Sequence, residues 1–315
     1  MKSSGGQRSF ARENFPGVKS WEGLVLVAPA AAIIIAFHIV PLFYVAAFSF
    51  KTPDGFSLEN YQRALADDAF RRSLRVTFWY AAGTVPLGIA ASLFLALLLL
   101  KGGRSRAFYR SALFIPFVTS TVAASSVWRW IFTRETWGLA NTFLSWFGCS
   151  PVHWTEESTG LLKLMLGNST VISGPSLALA VCMLFAVWHS LGFNTVIFLA
   201  GLSRIPPELL EAARVDGAGP WKTFRHVTLP LLGPTTFFVA AIMTIASFQA
   251  FNHIYVLAPF ERFYSARTLT MHVFIKIYDH PDFNAAAAAA VIIFLLVLAL
   301  TLLQFIFLAR RVHYR

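Results

Sequence analysis

Six apolar stretches constrain this chain more than any other feature: Leu24–Phe50, Val76–Leu100, Ser111–Trp128, Leu177–Gly201, Leu231–Leu257 and Ala285–Leu308. A helix needs about 20 apolar residues to traverse the hydrocarbon core of a bilayer. Backbone N–H and C=O groups find no water there, so a spanning segment must satisfy itself as a helix. The reading is an all-α membrane protein with six transmembrane helices. Pro29, Pro41 and Pro86 fall inside these stretches, where packed neighbours can take up the freed carbonyls. The run Ala285–Ala290 reads as a smooth helix face that lets another helix come close. The supply of charge agrees. Asp, Glu, Lys and Arg make up 13% of the 315 residues, roughly half the usual share of about 25% in soluble domains.

The first 23 residues are polar and basic, and the apolar run after them exceeds the about 7–15 residues of a signal-peptide core. It reads as a retained first span. Six spans put both termini on one side. With the termini in the cytoplasm, four Lys/Arg of the tail, four in Lys101–Arg110, four between Arg204 and Pro230 and three in Arg310–Arg315 lie inside. The outer loops, longer in total, hold eleven. This is the positive-inside bias. It also accounts for the net charge of +11 without a nucleic-acid partner, since no basic run is interleaved with aromatics on a soluble face. Cys149, in an outer loop, and Cys182, in a span, form no CxxC and read as structurally ordinary. The longest outer segment, Arg129–Ser176, carries Trp130, Trp137, Trp146 and Trp154, residues suited to an interfacial belt.

All fifteen Asp and Glu residues lie outside the six stretches. Ion-coupled carriers usually need an ionisable group at mid-depth, and here lone histidines such as His38 and His189 are the candidates, with no acid among them. A stand-alone secondary carrier is therefore the lesser reading. Clustered metal ligands and a GxxxxGK[ST] phosphate loop are missing too, so no metal site or bound nucleotide is expected on this chain. The energy for any transport has to come from a partner.

Between the fourth and fifth stretches stands Ile205–Thr235, IPPELLEAARVDGAGPWKTFRHVTLPLLGPT. Pro206 and Pro207 start a helix, with Glu208 in its positive first turn. Leu209, Leu210 and Ala213 give it an apolar face. Asp216-Gly217 breaks it, Gly219-Pro220 restarts the chain, and Trp221–Thr228 forms a second, basic amphipathic helix. Physically this is a helix–turn–helix at the membrane surface, which suits an ordinary amphipathic connector as well as a docking element.

The same segment closely resembles the EAA loop of ABC importer permeases. Glu211-Ala212-Ala213 is followed by Asp216-Gly217-Ala218, then Phe224, Val227, Leu229-Pro230 and Pro234, with Val227 standing where the family has isoleucine. The likeness extends to ENYQRAL before the second stretch, Phe114-Ile115-Pro116, GLANTFLSWFG, Val187-Trp188, Gly192-Phe193 and AGLSRIP, over about residues 20–310. It is strongest toward the sugar-type permeases of the maltose and glycerol-phosphate importers. Two outer features depart: LAPFERFYS lacks the glycines of the family's TxGGP turn, and the loop from Glu156 to Ser176 is long.

The resemblance implies an ABC type I importer permease fold and a division into a cytoplasmic tail 1–23, a permease domain 24–310 with its coupling loop 204–230, and a cytoplasmic C-terminus 311–315. It implies a multi-pass subunit of a bacterial or archaeal inner membrane, not itself an enzyme. Its partners would be a second, distinct permease, two ATPase subunits that hold ATP and Mg, and an extracytoplasmic solute-binding protein. Glu211, Ala212, Ala213, Asp216, Gly217, Ala218, Phe224, Leu229 and Pro230 would couple to the ATPases. The cargo would be a sugar, with glycerol phosphate, a polyol or an oligosaccharide as the alternative.

Polar side chains inside the stretches mark the candidate pathway: His189 and Asn194 in the fourth, and Gln249, Asn252 and His253 beside Phe248 in the fifth. Aromatic faces with neutral hydrogen-bonding groups suit sugar recognition. The same residue types also serve helix–helix hydrogen bonding. If the fifth stretch is one helix, Gln249, Asn252 and His253 fall at i, i+3 and i+4 and share a face.

Overall fold

The computed structural model describes residues 20–100, 106–155, 174–258, 264–279 and 281–309. The N-terminal residues 1–19, Lys101–Ser105, residues 156–173, part of LAPFERFYS and the C-terminus 310–315 lie outside the described residues. The first span is α1 (Ser20–Ile34), a π turn at Ile35–Ile39 and α2 (Val40–Ser49). Pro41 explains the turn. It has no N–H to donate and crowds the preceding carbonyls, and the widened ladder, with Val40 N–H bonded to Ile35 O, makes room. A two-residue hairpin follows, Lys51–Thr52 paired with Gly55–Phe56. Asn60 pins it from α3 (Glu59–Ala66), donating to the carbonyls of Ser49 at 3.0 Å and Lys51 at 2.8 Å. The second span is α4 (Asp68–Leu100), the longest helix.

The third span is not the single helix that its apolar length suggests. It is two, α5 (Arg106–Val118) and α6 (Thr121–Ile131), bent by 95°. Pro116 weakens the last turn of α5, and Ser120 takes an extended ψ of 123° that no helix continues through. After the short α7 (Leu139–Ser145), the fourth span α8 (Leu177–Leu202) runs unbroken, its start capped by the Ser176 hydroxyl, which accepts from Leu179 N–H.

The elbow comprises α9 (Pro207–Val215), α10 (Pro220–Thr223), a second π turn at Phe224–Thr228 and α11 (Leu229–Leu231). This π turn also precedes a proline, Pro230. A bend of 67° then leads into α12 (Gly233–Phe248).

The fifth span is likewise broken. α12 ends at Phe248 and α13 (Asn252–Leu257) begins after a non-helical Phe251. Two threonines take up the carbonyls this frees: Thr270 Oγ1 donates to Phe248 O at 3.0 Å and Thr268 Oγ1 to Ala250 O at 3.1 Å. Both lie at the start of α14 (Leu269–Tyr278), whose first N–H is capped by Thr77 Oγ1 from α4 at 2.9 Å. The sixth span is α15 (Phe283–Ala309). Its Ala286–Ala289 face is buried, and Ala289 packs with Phe70 and Leu269.

Candidate functional site

Both broken spans open onto one cavity of about 520 Å³, within the range of about 300–1,000 Å³ typical of ligand sites. Tyr80 and Thr84 of α4, Phe117 and Thr121 flanking the first break, Phe185, His189, Phe193 and Asn194 of α8, and Met243, Ser247 and Gln249 to His253 across the second break line it. The half-helices α6 and α13, which follow the two breaks, pack against each other. Helix breaks at bilayer depth are tolerated where the freed backbone faces protein or a cavity, and the two breaks sit together.

The wall is made of stacked rings carrying polar edges. Phe185 lies between two histidines, 5.6 Å from His189 and 5.3 Å from His253, nearly parallel to both. Phe117 and Phe193 stack at 4.6 Å. His253 Nε2 and the Tyr80 hydroxyl share a hydrogen bond of 2.7 Å, and Thr121 Oγ1 lies 3.5 Å from His189 Nε2. Asn194 is only 1% exposed, and among the described residues its Nδ2 meets no hydrogen-bond partner. An unmet buried amide costs about 1–3 kcal/mol.

His189, Asn194, Gln249, Asn252 and His253 therefore all border the cavity. Phe248 does not. It is buried and packs edge-on against Phe78 at 5.4 Å. The shared helical face expected for Gln249, Asn252 and His253 is also corrected. They straddle the break, and the irregular backbone, not a 3.6-residue repeat, brings them to one cavity. Tyr80, Phe117, Thr121 and Phe185 were missed by sequence reasoning because single aromatics and hydroxyls inside apolar stretches carry no signal of direction.

The elbow is built differently. Pro207 occupies the first turn of α9, Glu208 sits at its positive end, and Gly217 closes it at φ +72°. Gly217 N–H donates to Arg214 O at 3.0 Å and Ala218 N–H to Ala213 O at 2.9 Å. This double bond pattern is a Schellman cap, which needs a left-handed residue at that position. Among the described residues, none from 203 to 227 is buried. Glu211, Ala212, Asp216 and Gly217 are exposed, as are Leu229 and Pro230, while Ala213 and Ala218 are half-covered. Phe224, half-buried, packs with Ile205 against the core of Leu199, Leu202 and Leu232. It ties the elbow to the spans.

Discontinuous helices around a polar cavity, with a rigid elbow standing out at one end, define a solute-translocating membrane subunit. The chain matches the family described as the binding-protein-dependent transport system inner membrane component over residues 84–314, and it belongs to that family. It is 35% identical to the arabinooligosaccharides transport system permease protein AraP of Bacillus subtilis (strain 168), over 74% of this chain and 71% of that one. It is 30% identical to the sn-glycerol-3-phosphate transport system permease protein UgpA of Yersinia pestis, over 94% of this chain and 97% of that one. Its fold matches the crystal structure of a bacterial ABC transporter involved in the import of the acidic polysaccharide alginate. The TM-score is 0.78 at 19% identity, covering 92% of this chain and 96% of the other. The all-α, six-span importer-permease reading and the family resemblance are both borne out.

Proposed function

We propose that this chain is the membrane-spanning subunit of an ATP-driven importer for a neutral, hydroxyl-rich cargo, a sugar or short oligosaccharide. The observation that carries the reading is the cavity itself. Flat aromatic faces alternate with neutral donors and acceptors, and the Asn194 amide waits unpaired among them. Rings can stack on the C–H faces of a sugar while amides and imidazoles read its hydroxyls. Among the described residues, nothing acidic or basic other than histidine borders the space, which suits a neutral solute better than a phosphorylated one. The sugar-named relative AraP supports the same class of cargo.

In this reading the elbow faces the cytoplasm and docks on an ATPase, with Glu211 and the small residues 212–218 at the contact, and both termini lie on that side. A second permease completes the pathway, ATP and Mg stay on the ATPases, and an extracytoplasmic solute-binding protein delivers the cargo. The solved alginate transporter in complex with its periplasmic protein offers a precedent for that delivery. Closing and opening of the ATPases would rock the elbow, and Phe224 would pass the motion to the spans that wall the cavity.

The test is uptake together with substrate-stimulated ATP hydrolysis in the assembled importer. Gly217→Leu puts a branched side chain where φ is positive, at a cost of about 1–2 kcal/mol, and crowds the docking surface. Glu211→Arg reverses the charge offered to the partner. Each is expected to depress uptake and stimulated hydrolysis about ten-fold or more, in line with a loss of about 1.4 kcal/mol or more in coupling, while membrane insertion stays intact. Normal uptake in both variants would refute the assignment.

A further inference from the structure

Neither the cavity nor the elbow uses α7 and the chain around it. This segment folds around Asn141, which is buried. The two hydrogens of its Nδ2 are shared among the carbonyls of Thr133, Arg134, Glu135 and Val152, all 3.1–3.2 Å away, and its Oδ1 accepts from Val152 N–H at 3.0 Å and Trp154 Nε1 at 2.8 Å. Trp154 is thereby turned inward, out of the belt expected for it. The amide of α7 is spent on this inner side, while the hydroxyls of Thr142 and exposed Ser145 turn back to the carbonyls of Thr136 at 3.3 Å and Thr142 at 2.7 Å.

Its outer side is apolar. Trp146 is 75% and Phe147 70% exposed, and Phe143 makes edge contacts with both rings. Trp130 and Trp137 lie exposed with ring centres 6.2 Å apart. Val127 and Val122 of α6, the helix that α7 packs against, are exposed as well. No Asp, Glu, Lys or Arg occurs from Thr136 to Val152.

We infer that α7 is a monotopic anchor, lying in the lipid headgroup region of the leaflet opposite the elbow with Phe143, Trp146 and Phe147 dipping toward the acyl chains. Three arguments select lipid as the occupant. α7 packs against α6, the second half of a candidate membrane span, on which Val122, Val127 and Trp130 are also exposed. Its tryptophans combine an apolar body with an N–H, the chemistry that settles at headgroup level. A delivery protein comes and goes with each cycle and would leave so large an apolar patch wet in between, which soluble surfaces avoid. The anchor holds the far end of α6, whose Thr121 reaches the cavity and whose flank packs on α13. One wall of the cavity is thus tied to the membrane surface.

A reporter is already in place. Cys149 is exposed just beyond α7, and Cys182 is fully buried. In an assembled importer whose other subunits lack cysteine, Cys149 is labelled with an environment-sensitive fluorophore and placed in phosphatidylcholine nanodiscs. Lipid brominated near the top of the acyl chains is expected to remove about half of the emission, given an interfacial depth of about 5–10 Å, while aqueous iodide quenches weakly. Phe143→Ser with Trp146→Ser should abolish the lipid quenching and expose the label to iodide. Both changes leave the Asn141 hub untouched, so loss of folding is not at issue, and Trp146→Tyr should restore most of the effect. Three results overturn the anchor: dominant iodide quenching in the unaltered chain, a label shielded from both quenchers by a neighbouring subunit, or shielding that appears only when the solute-binding protein is added.

Discussion

The cavity wall and the elbow are two answers to the same problem of holding backbone that no regular helix supports. In the wall, the break of the fifth span is over-determined. The break after Phe248 is held by Thr268 and Thr270, α14 is capped by Thr77, and Phe185 is clasped between two imidazoles. In the elbow, the chain between α9 and α10 turns on one left-handed glycine and is moored by Phe224. The wall is built to keep a shape around a cargo. The elbow is built to present a surface and move as a unit.

Two glycines test this contrast most severely. Gly192 allows α8 to touch α5: a Cβ there would strike the backbone of Leu113 and Phe114, which cannot step aside. Gly217 has nothing within 4 Å of the same imaginary atom and is required only for its positive φ. Gly192→Ala should therefore cost at least the about 1–3 kcal/mol of an overpacked core. It should lower the melting temperature of the detergent-solubilised complex and its yield. Gly217→Ala places a Cβ at positive φ for about 1–2 kcal/mol, a strain confined to the exposed elbow, so it should lower the melting temperature less than Gly192→Ala while reducing substrate-stimulated hydrolysis more. If Gly192→Ala melts like the parent and Gly217→Ala unfolds the subunit, the contrast is wrong.

The two regions were also unequally legible. The spans could be read because length and hydropathy are one-dimensional quantities. The elbow could be read because proline, glycine and an amphipathic repeat each dictate local backbone, and Pro207, Gly217 and Gly219-Pro220 do so within a few residues. The breaks in the third and fifth spans could not. Hydropathy counts apolar residues and is blind to direction, and Gln249-Ala250-Phe251 contains neither proline nor glycine. That break is imposed from a distance by threonines about 20 residues further along the chain, which only the fold brings near. The cavity's polar residues stood out against an apolar background, whereas Tyr80 and Phe185 did not, because a lone aromatic in a span looks like any other packing residue.

A finer probe of the wall is the bond between Tyr80 and His253. Tyr80→Phe keeps the ring and removes the hydroxyl, leaving His253 Nε2 without its 2.7 Å partner. The loss of one buried hydrogen bond is worth about 1 kcal/mol. A cargo site that depends on the orientation of His253 should lose affinity about five-fold, read as a higher half-saturating concentration for uptake, with ATPase association unchanged. Asn252→Leu should act in the same direction by removing a group at the cavity rim. An effect of Tyr80→Phe on ATPase association, with cargo affinity intact, would instead join wall and elbow into a single mechanical unit.

The smallest effect expected is one of pH, and it separates the regions by where their titrating groups lie. Outside the spans, α14 carries His272, buried edge-on against Phe70 with ring centres 5.6 Å apart. Burial lowers its pKa from 6.5 to about 4; the nearby Asp67 opposes the shift, while Lys276 and Arg267 add to it. Asp67 is itself held below its ordinary value. Burial acts to raise it, but the Ala69 N–H together with the hydrogen bond and charge of Lys276, 3.3 Å away, outweigh that. For both groups the unfolded chain binds protons more readily than the folded one, so stability rises with pH wherever they titrate. The contribution of His272 is complete above about pH 6.5 and is lost as pH falls toward about 4, and that of Asp67 is lost at still lower pH as the carboxylate is protonated. Hydrogen exchange should therefore show α14, and with it the break that Thr268 and Thr270 hold, loosening between about pH 6.5 and 4. The elbow, where none of the described residues from 203 to 227 is buried, should show no such loosening across the same interval. His272→Phe should flatten the upper part of that profile. Protection of α14 that stays constant across the interval would remove the imidazole from the forces that keep the wall in shape.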